Sequence, residues 1–423
     1  MSALPGETYR LAFPTLPNIE NPAYVSYGRP HHEACAHHVI NTFNAKRVYV
    51  VASSSLSKNT DEVEQLKAAL GDRLAGVRLG IAPHTPWDEV VDASNDAKSK
   101  DADCVVTIGG GSLVDGAKAM LLFMANNVTT VSAIPDLHQR TAAKIENMRK
   151  TSAELDCVKP YASLICIPTT LSGGEYTWFS GGTDTATGLK SIMGHPFCGP
   201  RLIVNDPKLT ITAPEWVWLS TGVRGIDHCA EAYCQMLVDD KEMDEQSVLG
   251  FRKLVPNLLV TKADWTNEEA RLECMLGVNA VTIMLKKGIL PGASHGIGHQ
   301  LGPFGVGHGQ TSCILLPSVM KWNAKVNSHK QEKLKKVMWS ELPVAEVLKK
   351  RGLTPGNSDL GDALDAVFRE LGMPRSLKEV NVGRDKFQAL AVNSLKDPLA
   401  ETNPIPLKTT EQVIEILDMC AGD

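Results

Sequence analysis

Apolar positions change their spacing along this 423-residue chain, and the changes mark its organisation. Residues 47–52, Arg-Val-Tyr-Val-Val-Ala, form a short β-branched run, the pattern of a strand buried on both faces of a parallel sheet. The polar stretch 53–59 ends it. Helical spacing follows over 61–70, a second strand is predicted at 76–81, and helical spacing returns over 86–98. Such alternation is the mark of βαβ units. A third strand, 104–108, runs into Gly109-Gly110-Gly111-Ser112 and then a helix over 113–124. A fourth, 164–167, runs into Pro168-Thr169-Thr170. Both place small residues at carboxyl ends of strands, where open α/β sheets bind ligands.

After Asp206-Pro207 strand-like runs thin out, and helical stretches such as 219–237 and 268–285 dominate. The chain exceeds one ordinary core. The expected fold is an α/β dinucleotide-binding domain over 1–207, followed by an all-α catalytic domain over 208–423. The stretch 131–160 receives no role. A formal charge of −5 argues against a nucleic-acid partner. No run reaches the roughly 18 apolar residues of a membrane span. Ten cysteines without a C-x-x-C pair read as thiols in a reducing compartment, and residues 1–14 lack a targeting pattern. A cytoplasmic protein is expected. The lysine-rich patch 330–336 is taken as a solvated helix face.

Two constellations carry chemistry. In the segment from Gly109 to Lys118, glycines let backbone N–H groups approach a pyrophosphate at a helix N-terminus. It is neither the G-x-G-x-x-G fingerprint nor a phosphate-binding loop with Gly-Lys-Ser/Thr. Gly110, Gly111, Ser112 and Asp115 are assigned to the cofactor. Thr169 and Thr170 are assigned beside them, and Lys190 adds a cation for phosphate or ribose. The second constellation is His295, His299 and His308, set among glycines. His295 and His299 stand four apart, so on a helix they share a face. An earlier helix adds Arg224 and His228 at the same spacing, with Glu231 on nearly the same face. His31, His32, His37 and His38 lack a partner motif and stay unassigned.

These segments, together with 168–177, 221–233, 295–317 and Thr402-Asn403-Pro404, resemble in order the motifs of the iron-containing alcohol dehydrogenase superfamily. The tract 75–83 and the four residues between Thr170 and Glu175 look most like its maleylacetate reductase branch. The resemblance implies a dehydroquinate synthase-like fold, an NAD or NADP cofactor, a small-molecule substrate and a homodimer. Many members of that family bind a divalent metal through an aspartate and three histidines. Here Arg224 stands at the aspartate position, while His228, His295 and His308 match the histidines. Asp227, adjacent to His228, points about 100° away around a helix and is not expected to substitute. No resident iron or zinc is therefore expected. Serines follow residue 52, where many members carry an aspartate that binds the adenosine ribose, so NADP stays open beside NAD.

The expected activity is hydride transfer between nicotinamide and a carbonyl or alcohol carbon of a small polar substrate. Arg224, His228, His295, His299 and His308 are its candidate catalytic residues. A metal-dependent alcohol dehydrogenase is one rival. A sugar-phosphate cyclase on the same fold is another, but it needs a metal and a basic phosphate-binding set, which the residues around His295 do not offer. A non-catalytic nucleotide-binding protein is a third, and the intact glycine and histidine motifs count against it.

Overall fold

The structure, a computed structural model, describes residues 3–16, 19–141 and 151–422. It separates into two compact units, Met1–Ala213 and Pro214–Asp423. The first contains β1 (Thr8–Leu11), β2 (Tyr24–Tyr27), α1 (His31–Asn41), β3 (Val48–Ala52), α2 (Ser54–Asn59), α3 (Glu62–Leu70), β4 (Leu74–Leu79), α4 (Trp87–Ser99), β5 (Cys104–Gly109) and α5 (Gly111–Asn126). There follow α6 (Ile134–Arg140), β6 (Ser163–Pro168), β7 (Phe179–Thr183), β8 (Lys190–Gly194), β9 (Leu202–Asn205) and α7 (Pro207–Thr210). Part of the long stretch 131–160, residues 142–150, lies outside the described residues.

The sheet runs β1-β2-β9-β6-β5-β3-β4, parallel except for β1, and β7 and β8 form a separate antiparallel hairpin. Its central strands are buried on both faces. Tyr49 and Val51 pack with α4 and α5, while Val48, Val50 and Ala52 pack with α1 and α3. That is why the sequence shows continuous apolar runs there and not alternation.

Several local expectations change. The polar residues 53–59 do more than end β3: the Ser53 hydroxyl accepts from Leu56 N and caps α2. The second strand lies at Leu74–Leu79, two residues earlier than its apolar pattern suggested. The short strands β1, β2 and β9 and the hairpin carried too little pattern to be singled out. The unassigned histidines include two structural fasteners. His38 Nε2 lies 2.8 Å from Glu7 Oε1, its ring stacked on Tyr9, and His31 Nδ1 lies 3.2 Å from Asp206 Oδ2. They tie α1 to the β1 end of the chain and to the turn after β9.

The second unit is helical: α8 (Glu215–Cys234), α9 (Lys241–Ala263), α10 (Glu268–Val281), α11 (Ile283–Lys286), α12 (Ala293–Leu301), α13 (His308–Ser340), α14 (Leu342–Lys350), α15 (Leu360–Glu370), α16 (Phe387–Ser394), α17 (Leu399–Thr402) and α18 (Thr410–Met419). The stretch expected to be helical to 237 stops at Cys234. Gln235 takes an extended ψ of 158°, and its side-chain oxygen accepts from Leu237 N and Val238 N, building a turn in place of another helical turn. The stretch 268–285 is likewise broken at Thr282, whose hydroxyl donates to Asn279 O. Among the described residues no helix is long and apolar enough to cross a membrane.

Helix α13 enters against α8 at a glycine. A Cβ on Gly309 would stand 2.7 Å from the Ser220 carbonyl carbon and oxygen, closer than any tolerated contact. This approach carries Thr311 and Ser312 to Arg224. Gly309→Ala is therefore expected to force the two helices apart, at a cost of about 1–3 kcal/mol. Thermal denaturation checks this: the midpoint should drop by several degrees, and an unchanged midpoint would contradict the packing.

Candidate active site

In the first unit the predicted cofactor residues lie at adjacent strand ends. β5 and β6 pair with Gly109 opposite Pro168, and Thr169 N donates to Gly109 O at 3.1 Å. Gly109 has φ +145°, and a Cβ there would stand 2.6 Å from Leu113 Cδ1 and 3.0 Å from Ser53 Cβ. Gly110 then caps α5, with Gly111 and Ser112 in its first turn. Unpaired N–H groups and the positive end of a 16-residue helix so face the crevice. A Cβ on Gly110 would lie 3.5 Å from Thr170 Cγ2, and one on Gly111 3.3 Å from Ser172 Cβ, so the threonine loop borders the glycine turn. β3 neighbours β5, with β4 on its other side, and Ser53 N donates to Ile108 O. That is the point where strand order reverses, the usual ligand crevice of such sheets.

Lys190 sits exposed on β8 opposite Thr183. The buried lysine of this region is Lys118, the last residue of the glycine motif, to which the motif alone gives no role. Its Nζ donates to Gly174 O, Thr177 Oγ1 and Phe179 O, and pairs with Asp115 Oδ1 at 2.8 Å. Lys118 and Asp115 thus hold the loop that follows Thr170. Burial pushes the Glu175 carboxyl of this loop up to about 7.

In the second unit, α8 presents Arg224, Asp227, His228 and Glu231 on neighbouring positions of one side. Arg224 is 4% exposed, and its Nη1 donates to Thr311 Oγ1 at 3.3 Å and Ser312 Oγ at 3.1 Å. Asp227 Oδ2 accepts from the hydroxyls of Ser294 and Ser312. Glu231 is a cap supplied from another helix: Oε2 accepts from Gly292 N at 2.9 Å and Oε1 from Ser294 N at 2.8 Å, at the start of α12. Glu231 Oε2 also lies 2.7 Å from His295 Nδ1. Asn403 accepts from Ala293 N and exchanges amide bonds with Asn323, completing the anchorage of α12.

The glycines of the histidine motif have separate tasks. A Cβ on Gly298 would meet Thr311 Oγ1 at 2.9 Å, and one on Gly296 would meet Leu399 Cβ at 3.2 Å. Their absence of side chains admits α13 and α17 to α12. His295 then lies beside His228, with ring centroids 4.4 Å apart. His299 is held through Nδ1 by Asp397 Oδ2 at 2.8 Å. The turn with Gly305 at φ +82° brings the exposed His308 back onto His299, rings stacked at 5.8 Å.

Charges in this cluster are mutually dependent. Burial raises Asp227 to about 6, opposed by Arg224 and by the hydroxyls of Ser312 and Ser294. Glu231 is raised well above its ordinary value, by burial first and then by Asp227. His228 falls to about 3, and His295 well below its ordinary value, through burial and then the Arg224 charge. Both imidazoles are neutral. Glu231 Oε2 and His295 Nδ1 lie within hydrogen-bond distance of each other, so the buried carboxyl and the imidazole are joined directly. Among the described residues His295 Nε2, Arg224 Nε and Asp227 Oδ1 are buried without a hydrogen-bond partner.

One expectation is corrected. Asp227 does not point away from the site: its Oδ2 is 3.4 Å from His295 Nδ1, because α12 packs on that side of α8. The glycine-rich turn folds His308 back toward the pair His295 and His299, where it stacks on His299. Among the described residues, the only group close enough to share an ion is Asp227, Glu231 and His295, with atoms within 4.8 Å. Within that group both Glu231 oxygens and Asp227 Oδ2 already accept hydrogen bonds, while Asp227 Oδ1 and His295 Nε2 have no partner among the described residues.

The first unit thus pairs a parallel-rich sheet with a glycine turn at a helix start, and the second is a helical unit with a histidine and carboxylate cluster. The chain belongs to the iron-containing alcohol dehydrogenase family: the family model of that description matches residues 22–207, and the C-terminal model of Fe-containing alcohol dehydrogenases matches 218–420. It is 39% identical to "Dehydrogenase FUM7" of Gibberella moniliformis, covering 94% of this chain and 96% of that one. It is 27% identical to the maleylacetate reductase of Sphingobium indicum, covering 87% and 89%. Its fold is similar to the sulfoacetaldehyde reductase of Bifidobacterium kashiwanohense solved with NAD+, with TM-score 0.76, 20% identity and coverage of 96% and 98%. The chain is an oxidoreductase acting on CH–OH or C=O groups.

Glu231→Ala is expected to strip the α12 N-terminus of its cap and leave the buried Gly292 N and Ser294 N without an acceptor, at about 1–3 kcal/mol for each group. Chemical denaturation tests this. A loss below about 1 kcal/mol, the scale of an exposed pair, would contradict the buried-cap assignment.

Proposed function

We propose that the protein transfers hydride between NAD(H) or NADP(H) and a carbonyl or alcohol carbon of a small polar substrate, with no resident divalent metal. The observation that carries this reading is Arg224, a buried guanidinium on the helix where many family members supply a metal-binding carboxylate. At about 5 Å and an effective dielectric of about 20, one positive charge opposes a divalent cation by roughly 6–7 kcal/mol. The same charge favours the oxygen that becomes negative when a carbonyl is reduced. Its forked donors also suit a substrate carboxylate.

The nicotinamide supplies or accepts the hydride. The chain's own residues bind and polarise. Gly110, Gly111 and Ser112 offer backbone donors to the pyrophosphate, with Thr169 and Thr170 alongside. Ser53, after β3, stands where many family members carry an aspartate, which leaves room for a 2′-phosphate and supports use of NADP as well as NAD. Arg224, with neutral His228 and His295, supplies positive potential and hydrogen bonds to the substrate oxygen. His299 delivers or takes the accompanying proton. Free thiols at all ten cysteines, nine of them buried, support a reducing compartment, and we place the protein in the cytoplasm.

A second reading, a metal-dependent alcohol dehydrogenase, is favoured by the grouping of Asp227, Glu231 and His295. Such a site would draw Glu231 away from the α12 N-terminus, and that cost weighs against it.

The reading is tested by following NADH and NADPH absorbance against panels of aldehydes and keto acids; no consumption with any of them would overturn it. Gly111→Val should weaken coenzyme binding at least tenfold, about 1.4 kcal/mol, in a folded variant. Unchanged affinity would remove the glycine turn from the cofactor site.

A further inference from the structure

We propose that Asp397 is a positioning residue for the reaction, setting the orientation and proton placement of His299. The inference rests on the proton-transfer role of His299 proposed above. Asp397 lies 98 residues from His299 in the chain, yet its Oδ2 is 2.8 Å from His299 Nδ1. The carboxylate is itself fixed, since Oδ1 accepts from Leu399 N at 3.0 Å. Gln300 Nε2 reaches the same Oδ2 at 3.5 Å.

The approach is built in from the α12 side. Gly296 has no Cβ, and one placed there would meet Leu399 Cβ at 3.2 Å and the Leu399 carbonyl carbon at 3.5 Å. The segment bearing Asp397 can therefore lie against the helix one turn before His299. Asp397 is 12% exposed at its side chain and His299 34%, so the carboxylate is sheltered while the ring reaches toward solvent. A sheltered carboxylate favours the tautomer with hydrogen on Nδ1, and any proton exchanged with substrate then passes through Nε2. The proton moves between Nε2 and the substrate oxygen as hydride moves between nicotinamide and the substrate carbon, so charge and atoms balance. Asp397 itself takes no part in the transfer.

A double-mutant cycle tests this, using full-length protein, saturating coenzyme and the aldehyde or keto acid that gives the highest turnover in the coenzyme assay. His299→Ala should lower kcat by about 10² to 10⁴. Asp397→Asn, which keeps the shape but loses the carboxylate, should lower kcat about 10- to 100-fold with coenzyme KM little changed. In the His299→Ala background the same change should have almost no further effect, within about threefold, because its target is gone.

If His299→Ala leaves kcat within about threefold, the proton-transfer role fails and this inference falls with it. If His299→Ala is slow but Asp397→Asn is not, the inference alone is overturned. An equal loss from Asp397→Asn in both backgrounds also overturns it, showing an effect not exerted through His299. Should Asp397→Asn fail to fold, Asp397→Glu serves. It retains the charge and is expected to give a kcat between wild type and His299→Ala, and wild-type turnover in a variant whose carboxylate is displaced would count against the proposal.

Discussion

A guanidinium has been taken out of water inside a helical bundle, and the rest of the second unit is arranged around that fact. Removing such an ion from solvent costs several kcal/mol unless counter-charge and hydrogen bonds replace the water. Arg224 obtains both, from Asp227 and Glu231 on its own helix and from the hydroxyls of Thr311 and Ser312 on α13. The close helix contact at Gly309, and the missing side chain at Gly298, make that geometry reachable. The neighbouring histidines answer the same constraint: with a fixed positive charge in a dry surrounding, His228 and His295 stay neutral. They offer lone pairs and N–H groups instead of more charge.

The first unit solves a different problem, leaving the backbone at a helix N-terminus accessible while keeping the sheet closed. It does so where β3 and β5 part company, with Gly109 in a conformation that side chains avoid and Lys118 buried beneath the following loop. The buried lysine and Asp115 hold the loop near the glycine turn in place.

Much of this was legible in the chain. The buried strands at 48–52, 104–109 and 163–168 declare themselves by short apolar runs, and the glycine turn by its place between a strand and a helix. The pairing of Gly110 with Thr170 followed from adjacent strand ends. What stayed hidden depends on tertiary approach. Glu231 was visible as a neighbour on the helix face, but its role as a cap for α12 needs Gly292 and Ser294, more than sixty residues away. Asp227 was set aside from helical geometry alone. A 100° offset from His228 is correct for one helix and misleading once a second packs on that side. His308 follows the order of the family's histidines, yet its turn delivers it to His299. Asp397 is a lone acid in a polar segment and carries no local signal.

The central claim, that a buried guanidinium stands in for a metal ion, is tested most directly by metal analysis of protein purified without chelators, paired with turnover before and after prolonged EDTA treatment. The account predicts iron and zinc far below one per chain and turnover unchanged by chelation. Close to one iron or zinc per chain, with activity lost on chelation and restored by adding the metal back, would contradict it.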